Sequence, residues 1–239
     1  MSTSVNERIP FVNTLDVHHD SAASDSATVN GNACVAYAGN LDRQTKEDII
    51  NSTLFAQLAS DKRYPGRPMD RMMEWHESYK DVLTQIGWVA QGFNMMEVGD
   101  ANQYGSVDKL VLHLGAEYLT GGELALFTTM IKALAQPQND TAAKLFDNST
   151  SSYDNSASFR VGVASNMAST PILKIGTYQY SSPEKITSAL FFTFGSSRVS
   201  FFAGNQSMVF NKEVYAELRD PVLQKLGDAV WHLVKNVEI

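Results

Sequence analysis

The sequence predicts an α+β fold: a single domain in which an antiparallel β-sheet is wrapped by two α-helical hairpins, with further helices at the C-terminus. Three observations predict it. Apolar residues recur at helical spacing in two pairs of segments between residues 45 and 136. Period-two alternation replaces that spacing between residues 158 and 210. The two kinds of element are segregated along the chain, which is the α+β order. The 239 residues fit one sizeable domain. Amphipathic helix pairs also need a sheet to cover their apolar faces.

Residues 1–42 read as a polar N-terminal arm, and residues 43–239 as the domain. Five acids (Glu7, Asp16, Asp20, Asp25 and Asp42) accompany one base, Arg8, in the arm. Ser21 to Asn32 is small and polar, with little to bury. Ile9 to Val17 and Ala33 to Ala38 are apolar enough to pair as strands, within this sheet or on a neighbouring copy.

The first hairpin spans residues 45–86. Thr45 is a candidate N-cap. Ile50, Leu54 and Leu58 repeat every four residues, Lys62 and Arg63 suit the helix C-terminus, and Pro65-Gly66 breaks it. In the second helix, Met69, Met72, Met73, His76, Tyr79, Val82, Leu83 and Ile86 share a stripe until Gly87. Trp88 to Val98 reads as a strand with Phe93 and Met95 on one side, and 99–105 as a loop. The second hairpin spans 106–136. Ser106 can cap a helix carrying Val107, Leu110, Val111, Leu114 and Tyr118. Thr120-Gly121-Gly122 turns the chain, and Leu124, Phe127, Ile131 and Leu134 mark its partner.

Asn148 to Ser158 holds eight Ser, Thr or Asn in eleven positions and reads as a mobile loop. Strands are expected at Phe159–Val163, Pro171–Tyr180 and Ser188–Phe194. After a hairpin turn at Gly195–Arg198, another alternates through Val199, Phe201 and Ala203, and a fifth lies at Met208–Phe210. C-terminal helices fill 212–237. Asp220-Pro221 reads as an N-cap followed by proline at the first helical position, with Val222, Leu226 and Val230 buried.

Composition removes several function classes. Charged residues make up 19%, below the usual quarter, while 23 Ser, 15 Thr and 15 Asn supply uncharged polarity. A net charge of -7 opposes a nucleic-acid partner, which calls for clustered Lys and Arg. Met1 to Pro10 has no apolar core of signal-peptide length, and no run approaches the ~20 apolar residues of a membrane helix. A soluble chain without a classical signal peptide is therefore expected. Cys34 is the one cysteine, without the basic neighbour of a reactive thiol, and reads as a small buried hydrophobe.

Catalytic patterns are missing. His18-His19-Asp20 has metal-ligand chemistry, but adjacent histidines do not readily face one ion and no third ligand is near. His76 would need a histidine at position 80 for a zinc-protease helix, and that residue is Lys80. It reads instead as a helix histidine near the core edge. His113 and His232 read the same way. There is no Gly-x-Ser-x-Gly elbow, Walker A loop or Gly-x-Gly-x-x-Gly loop. A non-enzymatic protein without cofactor or metal is expected.

The informative segment is Phe159 to Phe210, with five Phe between 191 and 202. One reading is a sheet core under helices. The other is a sheet that leaves its cover and enters a bilayer, since a membrane strand needs ~9–11 residues of alternating polarity. An open sheet edge cannot stay in lipid, so insertion implies self-association.

The order of elements from Thr45 to Phe210 resembles the Cyt-type cytolytic delta-endotoxins and the fungal volvatoxin cytolysins. Leu190-Phe191-Phe192-Thr193-Phe194, followed by polar Gly195 to Arg198 and another alternating strand, is similar to a run in that family. Phe159–Ala164 and Ile172–Tyr180 precede it in matching order. The resemblance covers about two-thirds of the chain. It implies a central sheet wrapped by two helical hairpins, and non-enzymatic pore formation by a soluble form that becomes a membrane-inserted oligomer. Membrane lipids and other copies of the chain would be the partners. The helix pairs would swing away, and the arm would be removed or exchanged between subunits. Ile172, Ile175, Tyr178, Leu190, Phe191, Phe192, Phe194, Phe201 and Phe202 are the residues placed to meet lipid. Arg43 and Lys46 are candidate processing points. A local basic face for anionic lipid would draw on Lys132, Lys144, Lys174, Lys185, Arg198 and Lys212. A non-lytic binding or self-assembling protein of the same fold is the alternative, with a hydrolase behind it.

Overall fold

A computed structural model describes residues 24–65, 69–90, 93–136, 140–151 and 155–239. The Ile9–Val17 strand and the His18-His19-Asp20 pattern lie outside these residues. The fold is α+β, one domain built on a nine-stranded sheet. The strands are β1 (Ser26–Asn30), β2 (Ala33–Tyr37), β3 (Trp88–Ala90), β4 (Met96–Glu97), β5 (Thr150–Ser151), β6 (Ser156–Met167), β7 (Thr170–Ser181), β8 (Ser200–Phe210) and β9 (Val234–Val237). Their order is β3-β8-β7-β6-β2-β1-β9, with β4 added on β8 and β5 on β6. Every pairing is antiparallel except β2 with β6.

Much of the described part of the expected arm belongs to the sheet. Gly31, at φ 60°, opens a two-residue turn between β1 and β2. Val29, Cys34 and Ala36 are buried in the core, so the small residues from 26 to 32 have something to bury after all.

Helix α1 (Arg43–Arg63) starts two residues before the expected cap. Asp42 is its N-cap, because an Asp42 carboxylate oxygen accepts from the Thr45 amide at 2.7 Å. Helix α2 (Met72–Gln85) follows a single 3₁₀ turn and packs antiparallel to α1, as the hairpin reading expects. Much of α1 docks through hydrogen bonds. Asn30 donates to Thr53 Oγ1 at 3.0 Å, Trp88 Nε1 donates to Ser52 at 3.0 Å, and the Asn32 amide donates to Gln57 at 3.1 Å. These partners satisfy polar groups that burial would otherwise penalise.

Trp88 to Val98 is not one strand: β3 and β4 each pair with β8, and the described residues 93–95 between them belong to no strand. Helix α3 (Val107–Gly115) and helix α4 (Gly121–Leu134) form the second hairpin. Thr120 and Glu123 build a reciprocal capping box at the start of α4. A further helix, α5 (Thr141–Ser149), was not expected. It carries the start of the Ser/Thr/Asn-rich stretch, and β5 and β6 carry most of its described remainder, so composition misread 148–158 as a loop.

Three more expectations need correction. Ser188–Phe194 is irregular, touching a strand-like partner at Thr193 with Ser106 alone. The strands expected at 199–203 and 208–210 are one continuous strand, β8. Residues 212–237 are not all helical. Helix α6 (Lys212–Leu226), capped by Asn211, contains Pro221 in its interior, and helix α7 (Ala229–Leu233) leads into β9, which pairs with β1. Asp220-Pro221 is therefore not a helix start.

The sheet has a layer on each face. On one lie α1, α2 and α6, packed on Val35, Leu173, Ile175, Met208 and Phe210. On the other lie α3, α4, α5 and the segment from Ile186 to Val199, packed on Val161, Val163, Tyr178 and Phe201. Alternation along each strand sends its side chains to these two cores in turn.

Candidate functional site

Strands β6, β7 and β8 are 12, 12 and 11 residues long and pair in unbroken register. Their two faces differ in chemistry. The face under α3 and α4 carries Phe159, Val161, Val163, Tyr178, Tyr180 and Phe201, all buried. Aromatic rings dominate it: Tyr180 stacks on Phe201 at 5.6 Å, and Phe159 lies 5.4 Å from Tyr178. Such pairs add ~0.5–1.5 kcal/mol beyond their buried area.

The expected lipid-facing residues divide three ways. By strand parity Ile172, Tyr178 and Phe201 lie on this aromatic face, whereas Ile175 and Phe202 lie on the opposite one. Leu190, Phe191, Phe192 and Phe194 are not on a strand. Leu190, Phe192 and Phe194 are buried in the cover over the aromatic face, with Phe191 partly buried against it. Tyr180 Oη donates to the Ser188 and Ala189 carbonyls, and the Val107 amide donates to the Phe192 carbonyl, all at 3.0 Å. These bonds hold the Phe-rich segment down between β7 and α3.

The opposite face is polar in its upper half. Arg160, Thr177, Gln179 and Gln206 are buried there beneath α2, beside half-buried Ser158. The Arg160 guanidinium lies against both the Trp75 ring, at 4.4 Å, and the Tyr79 ring, at 4.5 Å, and donates to Asn32 Oδ1. His76 sits beside it, 2% exposed and so well inside the core edge expected for it, with its ring stacked on Phe93 at 3.3 Å. Neither imidazole nitrogen has a hydrogen-bond partner among the described residues, nor do Thr177 Oγ1 and the Gln206 amide. Burial lowers the His76 pKa to about 3, helped by the positive charges of Arg160 and Lys80. Sequence reasoning missed this polar set. The period-two run Arg160, Gly162 against Phe159, Val161, Val163 was its one visible sign.

Two ion pairs fix the helical cover, one to the sheet and one between its own helices. Lys174 on β7 donates to Glu123 Oε2 at 2.8 Å, while Thr120 bonds the same oxygen and Ser165 donates to Oε1 at 3.2 Å. Arg219 of α6 makes a two-pronged bond to Asp48 of α1, at 2.7 and 2.8 Å. Lys174 and Lys212 are thus engaged by acids, the latter 3.6 Å from Asp42.

Arg43 and Lys46 both lie in the first turn of α1. Arg43 is exposed and pairs with Glu47, while Lys46 donates to the Ser24 carbonyl at 2.8 Å. A cut at either point would detach β1 and β2, two strands inside the sheet. Cys34 is buried beside Met130, and burial raises its thiol pKa. His113 and His232 are exposed on α3 and α7. Among the described residues no group of three His, Cys, Asp or Glu could hold a metal, and no helix is long and apolar enough to cross a membrane.

No protein-family model matches the chain. No curated protein matches it either. Among solved structures, the chain is similar to that of the Evf virulence factor, at 13% identity and a TM-score of 0.37, over 95% of this chain and 89% of the other. A likeness of that order is distant.

Proposed function

We propose that the protein permeabilises membranes without enzymatic chemistry, passing from a soluble form to a membrane-inserted oligomer through strands β6 to β8. The observation that supports this is the two-faced character of those strands. One face is aromatic and aliphatic, and the other carries Arg160, Thr177, Gln179 and Gln206, yet both are buried under helices. A covered sheet has no need of a polar face, whereas a strand with lipid on one side and a water-filled lumen on the other requires one. Lengths of 11 and 12 residues meet the ~9–11 that a tilted membrane strand needs. Backbone groups at the strand edges require copies of the chain to pair with, so membrane lipids and self are the partners.

The whole chain should release dye from liposomes. Cysteines placed at Asn30 and Thr53, whose side chains touch at 3.0 Å, would lock α1 to β1. The oxidised variant should be silent and recover its leakage on reduction. No leakage from the folded chain at any lipid composition, or equal leakage from the locked form, sinks the reading.

A further inference from the structure

The two covers of the sheet are fastened differently. Helix α1 docks through uncharged hydrogen bonds spread along it, from Asn30, Asn32 and Trp88. The α3–α4 hairpin meets the sheet chiefly through hydrocarbon: Leu110, Val111, Phe127, Met130, Ile131 and Leu134 are buried over the aromatic face. Uncharged ties come from Tyr118, which meets the Tyr178 hydroxyl over Gly176, and from the Cys34 thiol, which donates to the Met130 sulfur at 3.3 Å.

The charged tie is Glu123. Among the described residues, its bond to Lys174 is the one ion pair that joins this hairpin to the sheet. Its two oxygens serve three elements. Oε2 accepts from Lys174 of β7 and from the Thr120 amide and hydroxyl at the head of α4, while Oε1 accepts from Ser165 of β6. The Lys174 and Glu123 side chains are 17% and 14% exposed, so water and salt screen this pair less than an open surface pair.

A bilayer treats these ties unequally. Contacts between hydrocarbon side chains can be exchanged for acyl chains at little net loss, because lipid tails are as apolar as leucine. A carboxylate bonded to an ammonium finds no substitute in hydrocarbon. Most of what holds α3 and α4 is therefore replaceable by lipid, and the Glu123 cluster is not.

We propose that Glu123 is the catch that keeps the α3–α4 hairpin closed, and that this hairpin is the first cover to leave the sheet. The inference rests on the permeabilisation reading. Lys174 is the charged group that faces Glu123, with Thr120 and Ser165 as its uncharged neighbours. Burial by itself would raise the Glu123 pKa, but the bonds from Lys174 and Thr120 outweigh it, and the net shift is downward. The catch is therefore complete above the ordinary value of 4.5 and is lost as pH falls through the lowered one.

The test is hydrogen exchange of the full chain in solution without lipid, followed by liposome leakage. At pH 7, amides of 107–134 should exchange about tenfold faster in Glu123→Gln than in the natural chain, with α1 and β7 unchanged, since bonds to charged groups outweigh neutral ones. Gln is acceptable at that capping position, so circular dichroism should hold. Lys174→Met should have the same regional effect, and the double variant no more than either alone. The difference between the natural chain and E123Q should narrow at pH 4. E123Q should also release dye about tenfold faster. Unchanged exchange at 107–134, faster exchange in every element alike, additive effects in the double variant, or leakage no faster than that of a lytic natural chain overturns the inference. If E123Q opens faster in solution and neither chain leaks at any lipid composition, the catch stands and the permeabilisation reading fails.

Discussion

His76 combines full burial, an aromatic stack and two cationic neighbours in one side chain. Its pKa is about 3 in the folded chain, against an ordinary value near 6.5. The neutral ring is therefore favoured by folding. That stability is complete above pH 6.5 and is lost as pH falls toward 3. At pH 5 the loss amounts to about 2 kcal/mol. Urea unfolding at pH 8 and pH 5 should show this difference in the natural chain and a markedly smaller one in His76→Phe. Equal losses in both would remove His76 as the source. The sequence identified His76 as a structural helix residue from Lys80 at the position where a zinc ligand would stand. It could not reveal Arg160, which is 84 positions away in the chain and reaches His76 only because β6 passes beneath α2.

The β6–β7 hairpin shows how an element can be well defined and locally strained together. Twelve paired residues on each side fix its register. Its turn, Ala168-Ser169, holds both residues at positive φ, 49° and 70°. Two-residue turns of this kind favour Asn-Gly, because a Cβ in that region is penalised by roughly 1–2 kcal/mol. The double variant A168N/S169G should raise stability by about 1 kcal/mol and the melting temperature by about 2–4 °C. A lower melting temperature would show that the turn side chains do more than connect strands. The strands themselves were legible from alternation. The turn was not, because neither Ala nor Ser signals a left-handed backbone. The reverse holds at Leu190–Phe194, where apolar residues at both parities signalled burial and were misread as a strand. Pro221 misled in the same way, since proline marks a helix start by preference and α6 accommodates it inside.

At the scale of the molecule, β2 and β1 stand between β6 and β9. A chain beginning at Gln44 would lose both and leave β6 and β9 with unpaired edges. Such a chain should lack a cooperative thermal transition and elute as aggregate in gel filtration. A monomeric, cooperatively melting product would show that the N-terminal strands are dispensable and that cleavage at Arg43 could serve as an activating step. Glycine at position 31 between two short runs of small residues was the local sign of this hairpin. Its insertion beside β6, in parallel, was beyond any local pattern.

The sequence by itself determined the α+β class, the two helical hairpins, the long strands β6 and β7 and the burial of Cys34. Each of these follows from periodicity or residue type within a few neighbouring turns of chain. Only the tertiary structure decided that the polar run Ser26–Asn30 would lie inside the sheet, that Val234–Val237 would close its edge against β1, and that Arg160, Thr177, Gln179 and Gln206 would be buried together. The physical reason is separation. A residue's period states which neighbours share its face, but what covers that face depends on strands and helices tens to hundreds of positions away.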